Sequence, residues 1–341
     1  MKTIKVGING FGRIGRAFLK IASERPEIEI VAVNDLSDVA NMAYLLKHDT
    51  AYREWKHNIK VEGQEITIDG KKIKVLAEKD PSKLPWKDLG VDVVVESTGL
   101  FVTYEKSKAH LDAGAKKVVI SAPAKDGDGT ILGETILLGV NEEKFGTCDI
   151  TSNASCTTNA ASPLIAILDE ALGVEKALLN TVHALTNSQP TVDSINKNNM
   201  REGRAGGHNI VPTSSGSAIA VTKAFPKLSG LFDGMAMRVP MIAGSIADIT
   251  FISKRDTTVE EVNSILKKAA SEKRWEGVFS VTEEELVSSD IIGSKYGSIA
   301  DLSLTMVVGG NLVKVMGWYD NEMGYTYTLV DHVIKTGNTI K

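Results

Sequence analysis

The chain has 341 residues, of which 43% are hydrophobic and 24% are charged; this composition excludes a disordered protein, and the length predicts two domains. The net charge is −4, from 39 basic and 43 acidic residues without an extended basic block, so we expect no nucleic-acid partner. The apolar runs are too short to span a bilayer, and the N-terminus lacks a charged-then-apolar leader, so we expect a cytoplasmic protein with no membrane partner.

The first predicted element is a strand that leads into a glycine cluster. The β-rich run that begins at Lys2 ends in Gly10-x-Gly12-x-x-Gly15, and Ala17–Ala22 continues at helical spacing. A dinucleotide-binding fingerprint lies in this position between a strand and a helix. Gly10 would make the turn, Gly12 would let the backbone approach a pyrophosphate, and Gly15 would let the helix pack closely. An ordinary tight turn is the alternative interpretation.

A second strand, Ile28–Asn34, ends at Asp35, twenty residues after Gly15. An acidic side chain at this position of a dinucleotide site hydrogen-bonds the adenine ribose, and its charge also repels a 2′-phosphate. Asp35 therefore favours NAD over NADP, although a helix N-cap is the other interpretation of this residue.

The remainder of the first half alternates between strands and helices. Five segments have helical or strand patterning: Asp38–Leu46 (helix), Lys56–Leu76 (a hairpin excursion), Val91–Glu96 (strand), Tyr104–Ala113 (helix) and Lys117–Ile120 (strand). Small residues follow the last strands, as a crevice for a planar cofactor requires. A turn is predicted at Gly127–Gly129, and the first domain should close near Ile150.

The stretch Thr151–Asn159 places one thiol, Cys156, among small hydroxyl and amide residues before an apolar run. It has the pattern of a strand end, a turn and a helix start. At a helix N-terminus, the dipole and the unpaired N–H groups favour a thiolate and can hold an oxyanion or a phosphate. A lone Cys is otherwise most often an inert buried residue. Pro163 falls inside this helix, and a start at Ser162 would place Cys156 on a loop.

The two cysteines, Cys148 and Cys156, are eight positions apart and form no CxxC pair. This spacing argues against a disulfide framework and against a zinc site, so no metal is expected. It fits a reducing compartment.

The second half begins with a strand, Lys176–His183, that ends in a histidine. The polar segment Asn187–Asn209 has no period and is typical of a functional or interfacial loop. Ile210–Ala220 repeats the hydroxyl–glycine–helix pattern and is a second possible anion site. Arg238 lies in a strand-like stretch. The remaining predicted elements are a strand at Ser245–Ser253, a helix at Thr258–Lys273 capped by Thr257, paired strands at Leu302–Val308 and Leu312–Trp318, and a closing helix to about Lys335.

Together these features predict the oxidation of an aldehyde. A thiolate can add to the carbonyl to give a hemithioacetal, and His183 could take the hydroxyl proton as hydride leaves for the nicotinamide. Water would release an acid from the resulting thioester, whereas phosphate would release an acyl phosphate; two anion sites favour phosphate. His183 could instead be a buried core histidine, and Arg238 could form a surface ion pair.

The chain resembles the phosphorylating glyceraldehyde-3-phosphate dehydrogenases from end to end. The resemblance rests on five stretches: Asn9–Arg16, Val33–Asp35, Ser152–Asn159, Pro212–Gly216 and Trp318–Glu322. It implies that a homotetramer oxidises D-glyceraldehyde 3-phosphate to 1,3-bisphosphoglycerate with NAD and inorganic phosphate, in glycolysis or gluconeogenesis. It implies an α/β fold, with a Rossmann-type parallel-sheet domain of residues 1–155 that the C-terminal helix, about 322–341, rejoins. Residues 156–321 would form an α+β catalytic domain with a largely antiparallel sheet.

The resemblance also implies roles for individual residues. Cys156 would be the nucleophile, and His183 would activate it. The residues around the attacking phosphate would be Ser155, Thr157, Ser215 and Gly216, and those on the substrate's own phosphate would be Thr186 and Arg238. The cofactor residues would be Gly10, Gly12, Arg13, Ile14, Asp35, Lys79, Ser121 and Asn321. The loop from Asn187 would pack against the cofactor site of a neighbouring subunit.

The chain departs from the family pattern at five positions: Lys79 and Ser188 in place of an Arg and an Asp, Ala160 in place of a Cys, Ser215 in place of a Thr, and Glu202 in place of an Arg that faces phosphate. At Glu202 a positive charge gives way to a negative one. We therefore expect weaker phosphate or substrate affinity rather than a changed reaction, although Arg201 and Arg204 flank Glu202 and could compensate.

Two other functions stay open on the sequence. Glu202 leaves room for erythrose-4-phosphate dehydrogenase, a relative that hydrolyses the thioester. A nucleotide-binding protein that has lost catalysis is the second, against which Cys156 and His183 argue.

Overall fold

A computed structural model describes residues 3–125, 133–197 and 199–340 of the chain. The chain forms two compact units. The first comprises residues 1–136, 142–154 and 329–341, and the second comprises residues 137–141 and 155–328. The turn predicted at Gly127–Gly129 lies outside the described residues.

The first unit alternates strands and helices as predicted. In chain order its elements are β1 (Ile4–Asn9), α1 (Arg13–Ala22), β2 (Ile28–Asn34), α2 (Val39–Lys47), β3 (His48–Asp49), β4 (Arg53–Glu54), β5 (Ile59–Glu62), β6 (Glu65–Ile68), β7 (Lys71–Leu76), β8 (Val93–Glu96), α3 (Tyr104–Asp112), β9 (Lys117–Ile120), β10 (Gly133–Thr135) and β11 (Ile150–Ser152). Within the described residues, nine strands form one sheet in the order β10-β11-β9-β8-β1-β2-β7-β6-β5.

The sheet of the first unit is parallel from β10 across to β7. Its central strands β8 and β9 are buried along their whole length, which explains their nearly continuous apolar sequence. The predicted hairpin over 56–76 is a three-stranded excursion: β5, β6 and β7 are antiparallel to one another, and β7 returns to pair in parallel with β2. The parallel-sheet prediction is confirmed.

The second unit is built on the other large sheet. Its elements are α4 (Cys156–Leu172), β12 (Val174–His183), β13 (Val211–Ser214), α5 (Ser217–Ala224), β14 (Phe232–Arg238), β15 (Ser245–Ser253), α6 (Val259–Ala270), β16 (Phe279–Thr282), β17 (Ser298–Val308) and β18 (Leu312–Tyr319), and the chain closes with α7 (Met323–Asn338). The strand order is β13-β14-β12-β15-β18-β17-β16. Two of the six pairings are parallel, β12 with β14 and β16 with β17, so the largely antiparallel sheet is also confirmed.

Short 3-10 helices occupy some of the connections: Pro81–Lys83, Glu142–Lys144, Met200–Gly203, Pro226–Leu228, Lys273–Trp275 and Ser288–Ile291. In the described parts of the predicted loop 187–209, Met200–Gly203 is the one helical segment and there is no strand. No helix among the described residues is long and apolar enough to cross a membrane.

One alternative start of a helix is excluded, and one predicted helix cap is wrong. The helix α4 begins at Cys156 and continues through Pro163, so the alternative start at Ser162 does not occur. The cap of α6 is Thr258, whose Oγ1 accepts the N–H of Glu261 at 3.2 Å; Thr257 instead donates its hydroxyl to the Glu261 carboxylate at 2.8 Å. An N-cap side chain must reach an N–H three residues on, and this requirement selects Thr258 here.

Candidate active site

Cys156 is the first residue of α4, and the residues before it explain this position. Ser155 has extended backbone angles, and its Oγ accepts the N–H of Thr158 at 3.0 Å, as an N-cap does. Ala154, just before it, has a φ of +55°, a left-handed conformation that a non-glycine residue seldom adopts. The predicted strand end, turn and helix start are confirmed, with the sulfur at the positive end of the helix dipole.

The thiol of Cys156 faces the imidazole of His183, and Sγ lies 3.3 Å from Nε2. His183 is the last residue of β12 and is buried, whereas Cys156 is partly exposed. A partly accessible thiol within hydrogen-bond distance of a histidine favours the nucleophile hypothesis over the inert buried Cys. His183 lies in the core, but its Nε2 faces a reactive group rather than a structural partner.

Arg238 lies beside His183 because β14 pairs in parallel with β12 and the register places the two residues opposite each other. Its Nη1 is 2.6 Å from Nδ1 of His183 and 3.3 Å from the carbonyl oxygen of Ala184. The same Nδ1 lies 2.6 Å from that carbonyl. Nδ1 can donate to the carbonyl or accept from the guanidinium, but a single ring nitrogen cannot do both. Arg238 is thus part of the Cys–His cluster, and within the described part of the chain it does not form the surface ion pair considered above.

The charges of this cluster depend on burial. Burial raises the pKa of the Cys156 thiol, and the positive charge of Arg238 lowers it. The net direction is opposite to the one expected from the helix N-terminus alone. Burial, with Arg238 adding to it, lowers the pKa of His183 to about 3. Burial therefore favours the neutral forms of both groups, a thiol beside an unprotonated imidazole.

A second helix N-terminus meets the first. Gly216 is the N-cap of α5 and has no side chain that could cap the helix. A Cβ at Gly216 would have nothing within 4 Å, so the space beside it is open. The Oγ atoms of Ser155 and Ser217 are 2.8 Å apart and join the starts of α4 and α5, while Ser215 Oγ accepts the N–H of Ser217 at 3.2 Å. Two adjacent helix N-termini lined by hydroxyl groups form a site suited to an anion.

Thr186 and Ser188 lie on the exposed segment after β12. The Oγ1 of Thr186 is 3.0 Å from Ser188 Oγ, and its N–H donates to the Gln189 side chain at 3.0 Å. Thr186 is therefore held by its own loop, two residues after the carbonyl that Arg238 contacts.

Glu202 lies in the 3-10 helix Met200–Gly203, which packs against β13. Its carboxylate accepts from Asn199 Nδ2 at 3.3 Å. Arg204 is paired with Asp193 at 3.0 Å, whereas the side chain of Arg201 is exposed. Arg204, one of the two arginines that flank Glu202, is thus already in an ion pair with the Asp193 carboxylate.

Gly10 and Gly15 of the glycine cluster have the steric roles predicted for them, and Gly12 lies beside open space. Gly10 has a φ of +93°, and a Cβ there would lie 2.6 Å from the backbone nitrogen of Thr98. A Cβ at Gly15 would lie 2.1 Å from the carbonyl oxygen of Gly10, so only glycine lets α1 pack this closely. At Gly12 a Cβ would meet nothing within 4 Å, which leaves the backbone open to a ligand.

Two of these glycines, Gly10 and Gly12, border a cleft of 320 Å³ in the first unit. Four of the predicted cofactor residues line it: Gly10, Gly12, Asp35 and Lys79. Asp35 accepts the N–H of Phe11 at 2.8 Å through one oxygen and the N–H and hydroxyl of Ser37 through the other. Burial acts to raise the pKa of Asp35, but these hydrogen bonds and the charge of Arg16 outweigh it, and the pKa is lowered. The N-cap of α2 is Asp38, so the capping interpretation of Asp35 is wrong.

The other predicted cofactor residues do not line this cleft. Arg13 and Ile14 begin α1, and the guanidinium of Arg13 pairs with Asp49 at 2.6 Å. Ser121 follows β9 and donates its hydroxyl to the carbonyl of Glu96 at 3.0 Å. Asn321 belongs to the second unit, where its Oδ1 accepts from the N–H of Gly244 and the hydroxyl of Ser245. These two hydrogen bonds fix the Asn321 side-chain amide through its oxygen and do not involve its NH₂ group.

Comparison with known proteins identifies the family. A family model described as the NAD binding domain of glyceraldehyde 3-phosphate dehydrogenase matches residues 4–104, and the model of the C-terminal domain matches residues 155–321. The chain belongs to the glyceraldehyde-3-phosphate dehydrogenase family.

Relatives of that name cover the chain almost completely. The glyceraldehyde-3-phosphate dehydrogenase of Streptomyces coelicolor is 48% identical over 341 residues, which are 99% of this chain and 100% of the relative. Those of Geobacillus stearothermophilus and Bacillus subtilis are each 46% identical over 330 residues, 96% of both chains. The fold class and the family inferred from the sequence motifs are thereby confirmed.

The sequence motifs of this dehydrogenase did not predict a polar network beside the cleft that Asp35 and Lys79 line. Asn9 donates to the buried carboxylate of Glu96 at 2.6 Å and accepts from Asn34 at 2.7 Å, while His110 lies 3.1 Å from Glu96. Asn9, Asn34 and Glu96 end β1, β2 and β8, whereas His110 lies in α3. A buried acid at the end of an apolar strand was the available signal. Tyr319, which follows the quoted Trp318, was missed in the second unit.

Proposed function

We propose that this chain oxidises D-glyceraldehyde 3-phosphate to 1,3-bisphosphoglycerate with NAD and inorganic phosphate, through a hemithioacetal and a thioester on Cys156. The observation that carries the proposal is the 3.3 Å contact between the Cys156 sulfur, at the start of α4, and Nε2 of His183. Membership of the family supports NAD-dependent oxidation of an aldehyde. A nucleotide-binding protein without catalysis would have no use for this contact.

In the first step, His183 takes the proton of the thiol as the sulfur attacks the aldehyde carbon. The Sγ–C bond forms, and the carbonyl oxygen becomes a hydroxyl of the hemithioacetal. In the second step, an imidazole that is neutral again accepts that hydroxyl proton while the C–H bond breaks and its hydride departs. Bound NAD supplies the hydride acceptor. The low pKa of His183 fits a residue that starts the cycle unprotonated.

The third step needs phosphate near the thioester. We assign the attacking phosphate to the adjoining helix starts, with Ser155, Thr157, Ser215 and Gly216 around it; the link between Ser155 and Ser217 supports this placement. Attack by a phosphate oxygen on the thioester carbon breaks the C–S bond and returns the thiolate. We assign the substrate's own phosphate to Thr186 and Arg238. The guanidinium of Arg238 is the nearest positive charge to His183 in the described second unit and can pair with that phosphate.

For the cofactor, we propose that residues 1–155, with about 322–341, bind NAD and that residues 156–321 carry catalysis. The residues present fit a dinucleotide: the open backbone at Gly12 and the carboxylate of Asp35 line one cleft. The Asp35 oxygen that accepts the N–H of Phe11 has one hydrogen bond from the protein and retains a lone pair for a ribose hydroxyl, whereas the other oxygen already accepts two from Ser37. The same ionised carboxylate disfavours the 2′-phosphate of NADP. Arg13, Ile14, Lys79, Ser121 and Asn321 complete the proposed cofactor contacts.

We also propose that the chain assembles as a homotetramer in the cytoplasm. The outer face of the second unit's sheet supports an assembly because it exposes large apolar side chains: Leu178 at 67%, Leu231 at 46%, Met235 at 39% and Leu312 at 41%. These side chains line two clefts on β12, β14, β15 and β18. Apolar surface of this kind is typical of subunit contacts. Sedimentation at several concentrations would test it, and a monomer at all of them would contradict it.

One assay separates this function from its nearest alternative. Oxidation of glyceraldehyde 3-phosphate is followed by the formation of NADH from NAD or of NADPH from NADP, with and without inorganic phosphate. We expect turnover with NAD that requires phosphate. Sustained turnover without phosphate, faster on erythrose 4-phosphate, would instead favour the hydrolytic dehydrogenase that the negative charge of Glu202 leaves open. A Cys156→Ser variant controls for thiol-independent activity.

A further inference from the structure

Three buried hydroxyl groups lie in a row beside the catalytic sulfur. The Oη of Tyr319 is 2.8 Å from the Oγ1 of Thr157 and 2.8 Å from the Oγ1 of Thr181. Thr181 Oγ1 in turn donates to the backbone carbonyl of Ile246 at 3.0 Å. All three side chains are at most 3% exposed. Thr157 is the residue next to Cys156, and its Oγ1 lies 4.0 Å from Sγ.

The carbonyl at the end of the row sets the direction of every proton in it. A carbonyl oxygen only accepts, so the single proton of Thr181 points to Ile246. Thr181 must then accept from Tyr319, and Tyr319 must accept from Thr157. Burial raises the pKa of Tyr319, so its hydroxyl retains the proton that this chain needs. The proton of Thr157 therefore points to Tyr319, and the lone pairs of Thr157 remain for the sulfur.

We propose that Tyr319 is a positioning residue that turns the Thr157 hydroxyl proton away from Cys156, so that Thr157 offers the sulfur an acceptor and not a donor. The inference rests on the proposed role of Cys156 as the nucleophile. An acceptor oxygen that turns its lone pairs to the sulfur disfavours the negative charge of the thiolate, whereas a donor would stabilise that charge. Thr157 can donate to the thiolate or to an attacking phosphate only when its bond to Tyr319 breaks. While Tyr319 accepts this proton, the Thr157 hydroxyl cannot act as a donor in the site.

Tyr319 also packs on the other member of the reactive pair. Its ring meets the ring of His183 edge to face, with centroids 5.9 Å apart and planes at 71°. Among the residues that the structure describes, the charged and titratable groups around the sulfur are His183, Arg238 and Tyr319 itself. A change confined to the hydroxyl row leaves His183 and Arg238 in place, so its effect on sulfur ionisation can be measured separately.

The test is the pH dependence of alkylation of Cys156 by iodoacetamide, with the labelled peptide identified by mass spectrometry. In Tyr319→Phe the Thr157 proton loses its acceptor and can turn to the sulfur. In Thr181→Val the Tyr319 proton loses its acceptor and turns to Thr157, whose proton then turns to the sulfur. We expect both variants to lower the pH midpoint by roughly half a unit to one unit. Thr181→Ser, which keeps the hydroxyl, should retain the parent midpoint.

A background without the Thr157 hydroxyl supplies the control. In Thr157→Val, adding Tyr319→Phe should leave the midpoint where Thr157→Val alone puts it. An unchanged or raised midpoint in Tyr319→Phe and Thr181→Val would overturn the proposal, as would an equal drop in the Thr157→Val background. If Tyr319→Phe does not fold, Thr181→Val carries the test alone. Alkylation needs neither substrate nor NAD, so its result is independent of the proposed reaction.

Discussion

Acidification should destabilise the fold through its buried histidines, and His332 allows this effect to be isolated. His332 is fully buried in α7, where Nε2 is 2.8 Å from Thr151 Oγ1 and Nδ1 is 3.1 Å from Asn153 Oδ1. Burial, with the nearby charge of Lys335, lowers its pKa to about 3. Because the unfolded chain titrates near the ordinary value, the unfolded state binds the extra proton as the pH falls from about 6.5 toward 3. Stability is therefore complete above that window and is lost within it.

The size of the effect follows from the shift. Between pH 7.5 and pH 5.5, one histidine that stays neutral only in the folded state costs about 1.4 kcal/mol of unfolding free energy. Urea unfolding at both pH values, on the parent and on His332→Gln, measures this difference. We expect the parent to lose about 1.4 kcal/mol more than His332→Gln over this interval. His208→Gln, at an exposed position, is the matched control and should lose as much as the parent. Equal losses in the parent and His332→Gln would refute the reasoning.

Three further substitutions test the proposed site. His183→Asn removes the base and should lower kcat for NADH formation by roughly 10²–10⁴-fold; a kcat close to the parent value would show that another group takes the proton. Asp35→Asn removes the charge that repels a 2′-phosphate and should improve the Kd of NADP by about tenfold in fluorescence titrations; an unchanged ratio of NAD to NADP affinity would count against Asp35 as the discriminating residue. Glu202→Arg restores a positive charge and should lower the KM for phosphate or substrate, and two unchanged Michaelis constants would show that Glu202 does not act on either anion.

Local patterns sufficed where the structure depends on neighbours in sequence. The start of α4 was predictable because Ser155 can cap the helix that an apolar run continues. The glycines around Gly10 and Gly15 were predictable because a turn and a close helix need them. The cap of α6 was not, because adjacent threonines can both cap a helix. The contact of Thr257 with the Glu261 side chain leaves the N–H of Glu261 to Thr258.

Contacts between residues far apart in the chain could not be predicted from the sequence patterns. Tyr319 contacts Thr157 and Thr181, which are 162 and 138 residues away in sequence, so no local sequence pattern predicts that the three hydroxyl groups lie in a row. The neighbourhood of Arg238 depends on the parallel register of β12 and β14. The thiol illustrates the same limit for charge: the helix N-terminus could be anticipated, but the opposing effect of burial on the pKa of Cys156 could not.

The most direct test asks whether an acyl group rests on Cys156. The enzyme is mixed with NAD and glyceraldehyde 3-phosphate without inorganic phosphate, quenched in acid, digested and examined by mass spectrometry. We predict one 3-phosphoglyceryl thioester on the peptide that contains Cys156, which added phosphate removes and which Cys156→Ser does not form. An acyl group on another peptide, or NADH formation by Cys156→Ser at the parent rate, would contradict the account.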